Sequence, residues 1–180
     1  MNREDVEKII TLARQKSQLP NLTGANLAGM DLSGINLHRA YLSGANLRGA
    51  NLTGANLGWA YLREADLSEA TLDRINLNSA NLFRGNLYKT HLNEADLRRT
   101  NLRGANLSYA YLHRVNLRGA NLFRANFAYA DLTEAMMIGA NTSGADFGYA
   151  NLSEANITRE QLSIISSLKE TIMPDGIKRS

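Results

Sequence analysis

Three histidines, His38, His91 and His113, are the side chains best suited to metal binding or acid–base chemistry. We expect His91 and His113 to lie in one column, in neighbouring layers of the fold, where they could approach each other. Two imidazoles without a third ligand make a weak metal site. The chain has no cysteine, which excludes disulfides, Cys-type zinc sites and thiol nucleophiles. No Gly-rich phosphate loop follows a strand, and no Ser–His–Asp set stands out. The sequence therefore predicts no catalytic residue, no metal and no cofactor, and we expect a protein that is not an enzyme.

The length and composition indicate one folded domain. The chain has 180 residues, of which 21% are charged and 44% hydrophobic, which excludes a disordered chain. No run of 18 apolar residues occurs, so no transmembrane helix and no membrane partner are predicted. The opening MNREDVEKII has no apolar core of signal-peptide length, so we expect a cytoplasmic protein. The net charge of +3 is too small to indicate nucleic-acid binding by itself.

A five-residue period organises most of the chain. Steps of five from Leu22 to Ile157 give 28 units without insertion or deletion, and the central residue is Leu in 23 of them. The residue two positions before each centre is Ala in 20 units. Asn or Asp is most frequent just before the centre, and polar residues or Gly follow it. Each unit therefore has two inward positions, one small and one large, and three outward ones.

Neither a helix nor a strand has this period. A helix needs apolar residues three, four and seven apart, and a strand needs strict alternation. To keep both Ala and Leu inside, the chain must turn at nearly every unit. This predicts stacked turns, here called coils, with backbone hydrogen bonds between coils and a narrow core of Leu and Ala columns.

The units GANLRGANLTGANL and READLSEATL resemble the pentapeptide-repeat family, whose consensus is Ala-(Asp/Asn)-Leu-X-X. The resemblance covers residues 20–158. It implies an all-β solenoid, a right-handed quadrilateral β-helix with four units per coil and therefore about seven coils, with short helical caps expected at both ends. At a spacing of roughly 4.8 Å per coil, the rod would be about 34 Å long. The tail SLKETIMPDG is similar to the segment after the last coil in cyanobacterial members.

The two ends need covering, because a stacked coil exposes β edges and apolar core. We expect a capping helix within residues 1–19, with Asn2 as its N-cap, and a C-terminal capping helix and tail over residues 159–180. Thr158 and Gln161 have capping-box spacing. Leu162, Ile165 and Leu168 would then share one helix face. This segment is either a lid or a dimerisation surface, which predicts a monomer or a weak dimer.

If four units form a coil, residues twenty apart lie directly above each other and outward residues form columns. Three columns stand out: an ion-pair ladder of Arg74, Glu94, Arg114 and Glu134; a cation–π column of Arg63, Phe83, Arg103 and Phe123; and a tyrosine column of Tyr109, Tyr129 and Tyr149, with Tyr88 nearby. The tyrosine column resembles the Tyr-rich surfaces of binding proteins and is our secondary candidate site.

The preferred candidate site is a fourth surface, which we call the arginine face. It consists of Arg39, Trp59, Arg98, Arg99 and Arg118, with His38 beside them. Arg98 and Arg118 would be stacked like charges, which is unfavourable unless an anion or an acidic partner bridges them. The arginine face therefore predicts an unidentified protein partner, and an acidic one fits best.

Charge varies along the rod. Residues 84–124, which we call the basic waist, hold eight Lys or Arg and two acids. Residues 125–158 hold four acids and no Lys or Arg. A protein-interaction or regulatory scaffold explains this pattern without catalysis. Two alternatives remain: a DNA-mimic-type binder of a topoisomerase, and a direct nucleic-acid binder through the basic waist. Residues 20–158 contain 12 basic and 11 acidic residues, which argues against DNA mimicry because a mimic must replace phosphate charge.

Overall fold

The fold is a β-helix solenoid with a short helix near each end. The computed structural model describes residues 1–179. Its helices are α1 (Arg3–Gln15) and α2 (Arg159–Ser163). Between them, single-residue parallel β-bridges join residues twenty apart, as between Asn26 and Asn46. Each bridge lies only five residues from the next and is separated from it by a turn, so the bridges remain isolated in the described chain.

The turn depends on a left-handed residue in every unit. In each unit from Leu22 to Leu152 the N–H three residues after the centre donates to the central carbonyl, as from Ala45 to Leu42 at 3.0 Å. The second residue after the centre has positive φ in every unit from Gly24 to Glu154, in ten glycines and seventeen other residues. Positive φ at the third turn residue alone is the signature of a type II turn, which favours Gly there. The backbone conformation explains the recurrent glycine.

Hydrogen bonds between coils link one unit to the next layer. The N–H of Leu47 donates to the Asp66 carbonyl at 2.7 Å, and the N–H of Asp66 donates back to the Ala45 carbonyl at 3.0 Å. Leu47 and Ala45 are both fully buried, so the inward columns fill the interior. The same unit therefore satisfies its backbone polar groups and buries its apolar side chains.

At the N-terminal end, α1 covers the first coil. Its predicted N-cap is confirmed, because Asn2 and Asp5 form a capping box. Val6 and Ile10 are buried in the hydrophobic core. The Arg3 guanidinium donates to the carbonyls of Asp31 and Ser33, both at 3.1 Å.

Arg14 completes this contact by donating to the Asn36 carbonyl at 2.8 Å. These carbonyls belong to the first coil, where no preceding coil supplies N–H donors. The two arginines of α1 thus replace hydrogen bonds that a preceding coil would otherwise donate.

The C-terminal end differs from the sequence prediction. The capping box of Thr158 and Gln161 is present, but α2 ends at Ser163. The predicted helix face of Leu162, Ile165 and Leu168 is therefore wrong, because the chain after α2 returns to the β-helix. Ser167 and Ile172 form parallel bridges with residues 21 positions earlier, Asp146 and Asn151.

Local chemistry explains this return. The Gln161 side-chain amide donates to the carbonyls of Met137 and Ala140 at 2.7 and 2.8 Å, which fixes α2 on the last coil. The segment around Leu168 then behaves as one more repeat unit: Glu170 has φ 57°, and the Thr171 N–H donates to the Leu168 carbonyl. One inserted residue conceals this unit from a strict five-residue count.

A glycine at the left-handed turn position should be costly to replace. Gly54 has φ +65°, and a Cβ there would meet nothing within 4 Å, so Gly54→Ala changes backbone preference alone. We expect Gly54→Ala to lower the free energy of unfolding by about 1 kcal/mol in urea denaturation. Glu64→Ala is the control, because Glu64 already has φ 57° and a non-glycine side chain. An equal loss in both variants would contradict this account of the turn.

The contacts of α1 with the first coil give a second prediction. We expect the double variant Arg3→Gln with Arg14→Gln to accelerate amide hydrogen exchange in α1, because three edge carbonyls lose charged donors. The control is Lys8→Gln with Lys16→Gln, which removes the same charge from two exposed positions of the same segment. Exchange in α1 that rises equally in both variants would show that only charge, and not carbonyl capping, holds the helix.

Candidate functional site

The arginine face surrounds a groove on one side of the rod. Trp59, Arg98, Arg99 and Arg118 all line this groove, which has a volume of about 720 Å³. Arg39 lies beyond its end, where it lines a smaller depression with His38 and Trp59. The structure therefore brings the predicted residues onto one continuous surface.

Small residues create the groove. Its floor includes Gly58, Gly119 and Gly139, where no side chain rises from the backbone. Trp59 and Ile138 line the groove, and they are 58% and 42% exposed. Glycine at these outward positions leaves room for a ligand group between a tryptophan and several arginines.

The prediction of an unpaired arginine cluster is wrong for Arg98. Its guanidinium donates to both carboxylate oxygens of Asp96, at 2.8 and 2.7 Å. Both side chains face outward because they flank the buried Leu97, and side chains alternate along extended backbone. The hydrogen bonds from Arg98 lower the pKa of the Asp96 carboxyl below its usual value, against the opposing effect of burial.

The remaining arginines of the face differ from Arg98. Within residues 1–179, Arg39, Arg99 and Arg118 form no ion pair. Arg99 and Arg118 belong to adjacent coils, since the Arg99 N–H donates to the Arg118 carbonyl at 3.0 Å. The groove thus presents two uncompensated guanidinium groups from neighbouring layers beside a carboxylate-paired third.

The tyrosine column is continuous and exposed. Tyr109 stacks on Tyr129 and Tyr129 on Tyr149, each with ring centroids 4.7 Å apart and planes within 4° of parallel. Tyr88 meets Tyr109 edge-on at 5.7 Å. The three stacked rings are between 41% and 47% exposed. Their edges form a narrow strip on a different corner of the rod from the arginine face.

The predicted ion-pair ladder is mostly wrong. Arg114 pairs with Glu134 at 2.7 Å, but no other pair of the ladder lies within 4.0 Å in the described chain. Exposed ion pairs contribute little stability and restrict two side chains. The twenty-residue register therefore allows these ion pairs but does not require them.

The predicted placement of His91 and His113 in one column is wrong, because the residue one coil after His91 is Tyr111. The two histidines occupy different positions within their units, so they belong to different columns. His91 stacks on Tyr111 at 4.6 Å, whereas His113 Nε2 lies 3.8 Å from a Glu134 oxygen. Residues 1–179 contain no group of three potential metal ligands.

Comparisons with known proteins concern the repeat and the fold. The Pentapeptide repeats family matches residues 21–58, 60–99, 86–124 and 125–159, in eight copies. None of the helices in residues 1–179 is long and apolar enough to cross a membrane. No curated protein sequence matches the chain.

Several solved structures are similar. A trypsin-treated variant of QnrB1, described as a plasmid-mediated fluoroquinolone resistance protein, is 19% identical and superposes with a TM-score of 0.64 over 81% of this chain and 83% of its own. HetL of the cyanobacterium Nostoc sp. strain PCC 7120, described as involved in heterocyst differentiation regulation, is 32% identical over 99% of this chain and 100% of its own, with a TM-score of 0.41. Rfr23 of the cyanobacterium Cyanothece 51142 is 27% identical over 76% and 92%, with a TM-score of 0.34. The superposition on QnrB1 indicates a shared fold.

The Asp96–Arg98 pair should make stability depend on pH. Because the folded-state pKa of Asp96 is lowered, its carboxylate stabilises the fold above the unfolded-state pKa, and this contribution disappears as pH falls through the folded-state pKa. We expect Asp96→Asn to cost less than about 1 kcal/mol at neutral pH, since Arg98 is exposed, and to cost less still at an acidic pH that protonates Asp96 in the folded state.

The measurement is chemical denaturation at both pH values. Asp66→Asn is the control, because Asp66 occupies the equivalent bridge position and forms no ion pair within residues 1–179. A loss for Asp96→Asn that persists unchanged in acid would rule out the ion pair as its cause.

Proposed function

The chain belongs to the pentapeptide-repeat family, and we propose that it is a non-catalytic protein-interaction or regulatory scaffold whose arginine face binds an acidic protein partner. In this proposal residues 20–158 form a right-handed quadrilateral β-helix of about seven coils. Residues 1–19 and 159–180 close its ends, and the protein acts in the cytoplasm. The partner is recognised by a rigid surface rather than by a flexible loop.

One observation carries the proposal: the groove combines Trp59 with the guanidinium groups of Arg99 and Arg118. Trp and Arg dominate the binding energy of many protein interfaces. A guanidinium presents a planar fork of donors that matches a carboxylate. Because the groove residues extend from stacked coils, little ordering is needed when a partner binds.

Catalysis is not part of the proposal. The groove is lined by arginine, asparagine, glycine, His38, Trp59 and Ile138. Among the described residues that line the groove there is one imidazole, but neither a carboxylate nor a hydroxyl nucleophile. General acid–base catalysis usually needs a second side chain positioned beside the imidazole. The lining residues suit recognition of an anionic group better than its transformation.

Charge argues against the two alternative functions. A DNA-mimic binder of a topoisomerase needs a strongly negative surface, and residues 20–158 are nearly balanced. The likeness to QnrB1 concerns the fold and adds no evidence for a shared target. Direct nucleic-acid binding through the basic waist would extend onto residues 125–158, which carry four acids and no Lys or Arg.

We further propose that any self-association is weak and uses the C-terminal end. Leu162, Ile165 and Met173 line a depression of about 480 Å³ there. Ile164 and Ile177 are 48% and 66% exposed. A few exposed apolar residues are compatible with a monomer or a weak dimer, because stable interfaces bury larger areas.

The proposal is tested by capture of a partner from a nuclease-treated lysate of the native organism. We expect the triple variant Arg98→Gln, Arg99→Gln and Arg118→Gln to capture at least about tenfold less partner, with weaker salt dependence, because these charges bind and steer it. The control variant Arg48→Gln, Arg74→Gln and Lys89→Gln removes the same charge elsewhere.

Two results would contradict the proposal. One is capture that is unchanged in the arginine-face variant at both low and physiological salt. The other is recovery of a topoisomerase in place of an acidic protein, or recovery of nucleic acid when the capture is repeated without nuclease. If both variants lost partner capture equally, the effect would be due to net charge and not to the arginine face.

A further inference from the structure

A second set of arginines forms a row on another side of the rod. The arginine row consists of Arg63, Arg84, Arg103 and Arg124, which are all exposed. Their sequence spacings of 21, 19 and 21 residues give one guanidinium per coil across four consecutive coils. We propose that this row is a docking site for an acidic α-helix of a protein partner, lying along the rod axis. The inference does not depend on the arginine face, with which the row shares no residue.

Two phenylalanines hold the row in place. The guanidinium carbons of Arg63, Arg84 and Arg103 lie 4.9, 5.2 and 5.9 Å from the Phe83 ring centroid. Those of Arg103 and Arg124 lie 5.3 and 5.0 Å from the Phe123 centroid. Each ring therefore contacts at least two guanidinium groups, which offsets part of the repulsion between neighbouring charges and fixes their positions.

The row lacks acidic partners of its own. Its four arginines form no ion pair anywhere in residues 1–179. An array of fixed, uncompensated like charges has an unfavourable self-energy that an anionic ligand relieves. The charge of the row therefore selects an acidic ligand.

The aromatic rings argue against a single-stranded nucleic acid as the ligand. Such ligands are held by a positively charged groove together with bases stacked on open aromatic faces. Phe83 and Phe123 are only partly exposed, and guanidinium groups lie over them. The rings support the arginines and offer little free face for a base.

The repeat distance favours a helix over an extended peptide. Stacked rings place successive coils 4.7 Å apart, so four arginines span three steps, or roughly 14 Å. A helix with one carboxylate per turn spans about 16 Å over three turns. In a strand, side chains on one face are about 6.7 Å apart, and three such steps span about 20 Å. Arginine side chains are flexible enough to bridge the small difference in length between the row and a helix, but not the larger difference between the row and a strand.

The row is short. The positions one coil before Arg63 and Glu64 hold Ser43 and Gly44, and those one coil after Phe123 and Arg124 hold Ser143 and Gly144. A long polyanion lying along the rod would find no further arginine in these columns. A short acidic helix of about three turns ends where the row ends, so the finite length also favours a protein segment.

The test uses a synthetic alanine-rich helix, stapled on its far side, with one glutamate per turn on the exposed side. It is titrated into the isotope-labelled full chain, and binding is followed by NMR shifts of the arginine Nε–Hε groups. We expect shifts in the arginine row. The variant Arg84→Gln, Arg103→Gln and Arg124→Gln should bind roughly tenfold more weakly, as expected for three exposed ion pairs.

Three controls make the result specific. The variant Arg48→Gln, Arg74→Gln and Lys89→Gln removes the same charge outside both the arginine row and the arginine face and should bind within about twofold of the unmodified chain. A peptide of the same composition, with glutamates distributed around the helix, should bind more weakly. A thymidine oligonucleotide of equal charge should not compete. Each variant's backbone amide spectrum checks that the fold is retained.

Several outcomes would overturn the inference: no Nε shift at millimolar peptide, equal losses in the two triple variants, equal binding of the rearranged peptide, or tighter binding of the oligonucleotide. Failure of this test leaves the proposed role of the arginine face intact, because capture by that face is measured with different residues. Failure of the capture experiment, with success here, would move the binding surface to the arginine row.

Discussion

The structure depends on one repeated constraint: every five residues the backbone turns through a left-handed residue while its N–H groups reach the next coil. The turn places Leu and Ala inward, and the hydrogen bonds between coils fix the twenty-residue register. Seventeen non-glycine residues accept this conformation between Arg39 and Glu154. Their backbone strain is offset by buried Leu side chains and by hydrogen bonds of about 2.6 to 3.3 Å in each layer. Glycine eases the turn and is most frequent in the first coils.

Because the interior is nearly invariant, the outward positions are free to carry recognition. When one outward position carries the same residue type in successive coils, the 4.7 Å stacking joins these side chains into a continuous surface, as in the tyrosine column. The arginine face and the arginine row exploit the same geometry in different ways. Small residues open a groove on the first, whereas Phe83 and Phe123 support a raised line of charge on the second. We propose an acidic partner for each surface.

The five-residue pattern was enough to predict the inward columns, the tyrosine stack and the alternation of Arg63 with Phe83, since all follow from register alone. It was not enough for contacts that depend on side-chain rotamers. Arg98 turns toward Asp96 two residues away, and most of the expected charge ladder is unpaired. The C-terminal helix was predicted too long because a single inserted residue hid the unit around Leu168. The pattern also did not predict the groove, because the groove forms where glycines have no side chain to fill the space.

The stacked-coil structure depends on the hydrogen bonds between neighbouring coils, whose bridged residues are twenty positions apart. Scalar couplings across those hydrogen bonds test this structure most directly. In a long-range HNCO spectrum of the deuterated, ¹³C- and ¹⁵N-labelled chain, the Leu47 nitrogen should couple to the Asp66 carbonyl carbon, and the Asp66 nitrogen to that of Ala45. The same pair of couplings should recur in each coil at the bridge positions. Couplings to carbonyls four residues earlier in this region, or to residues other than those one coil away, would contradict the stacked-coil structure and every surface derived from it.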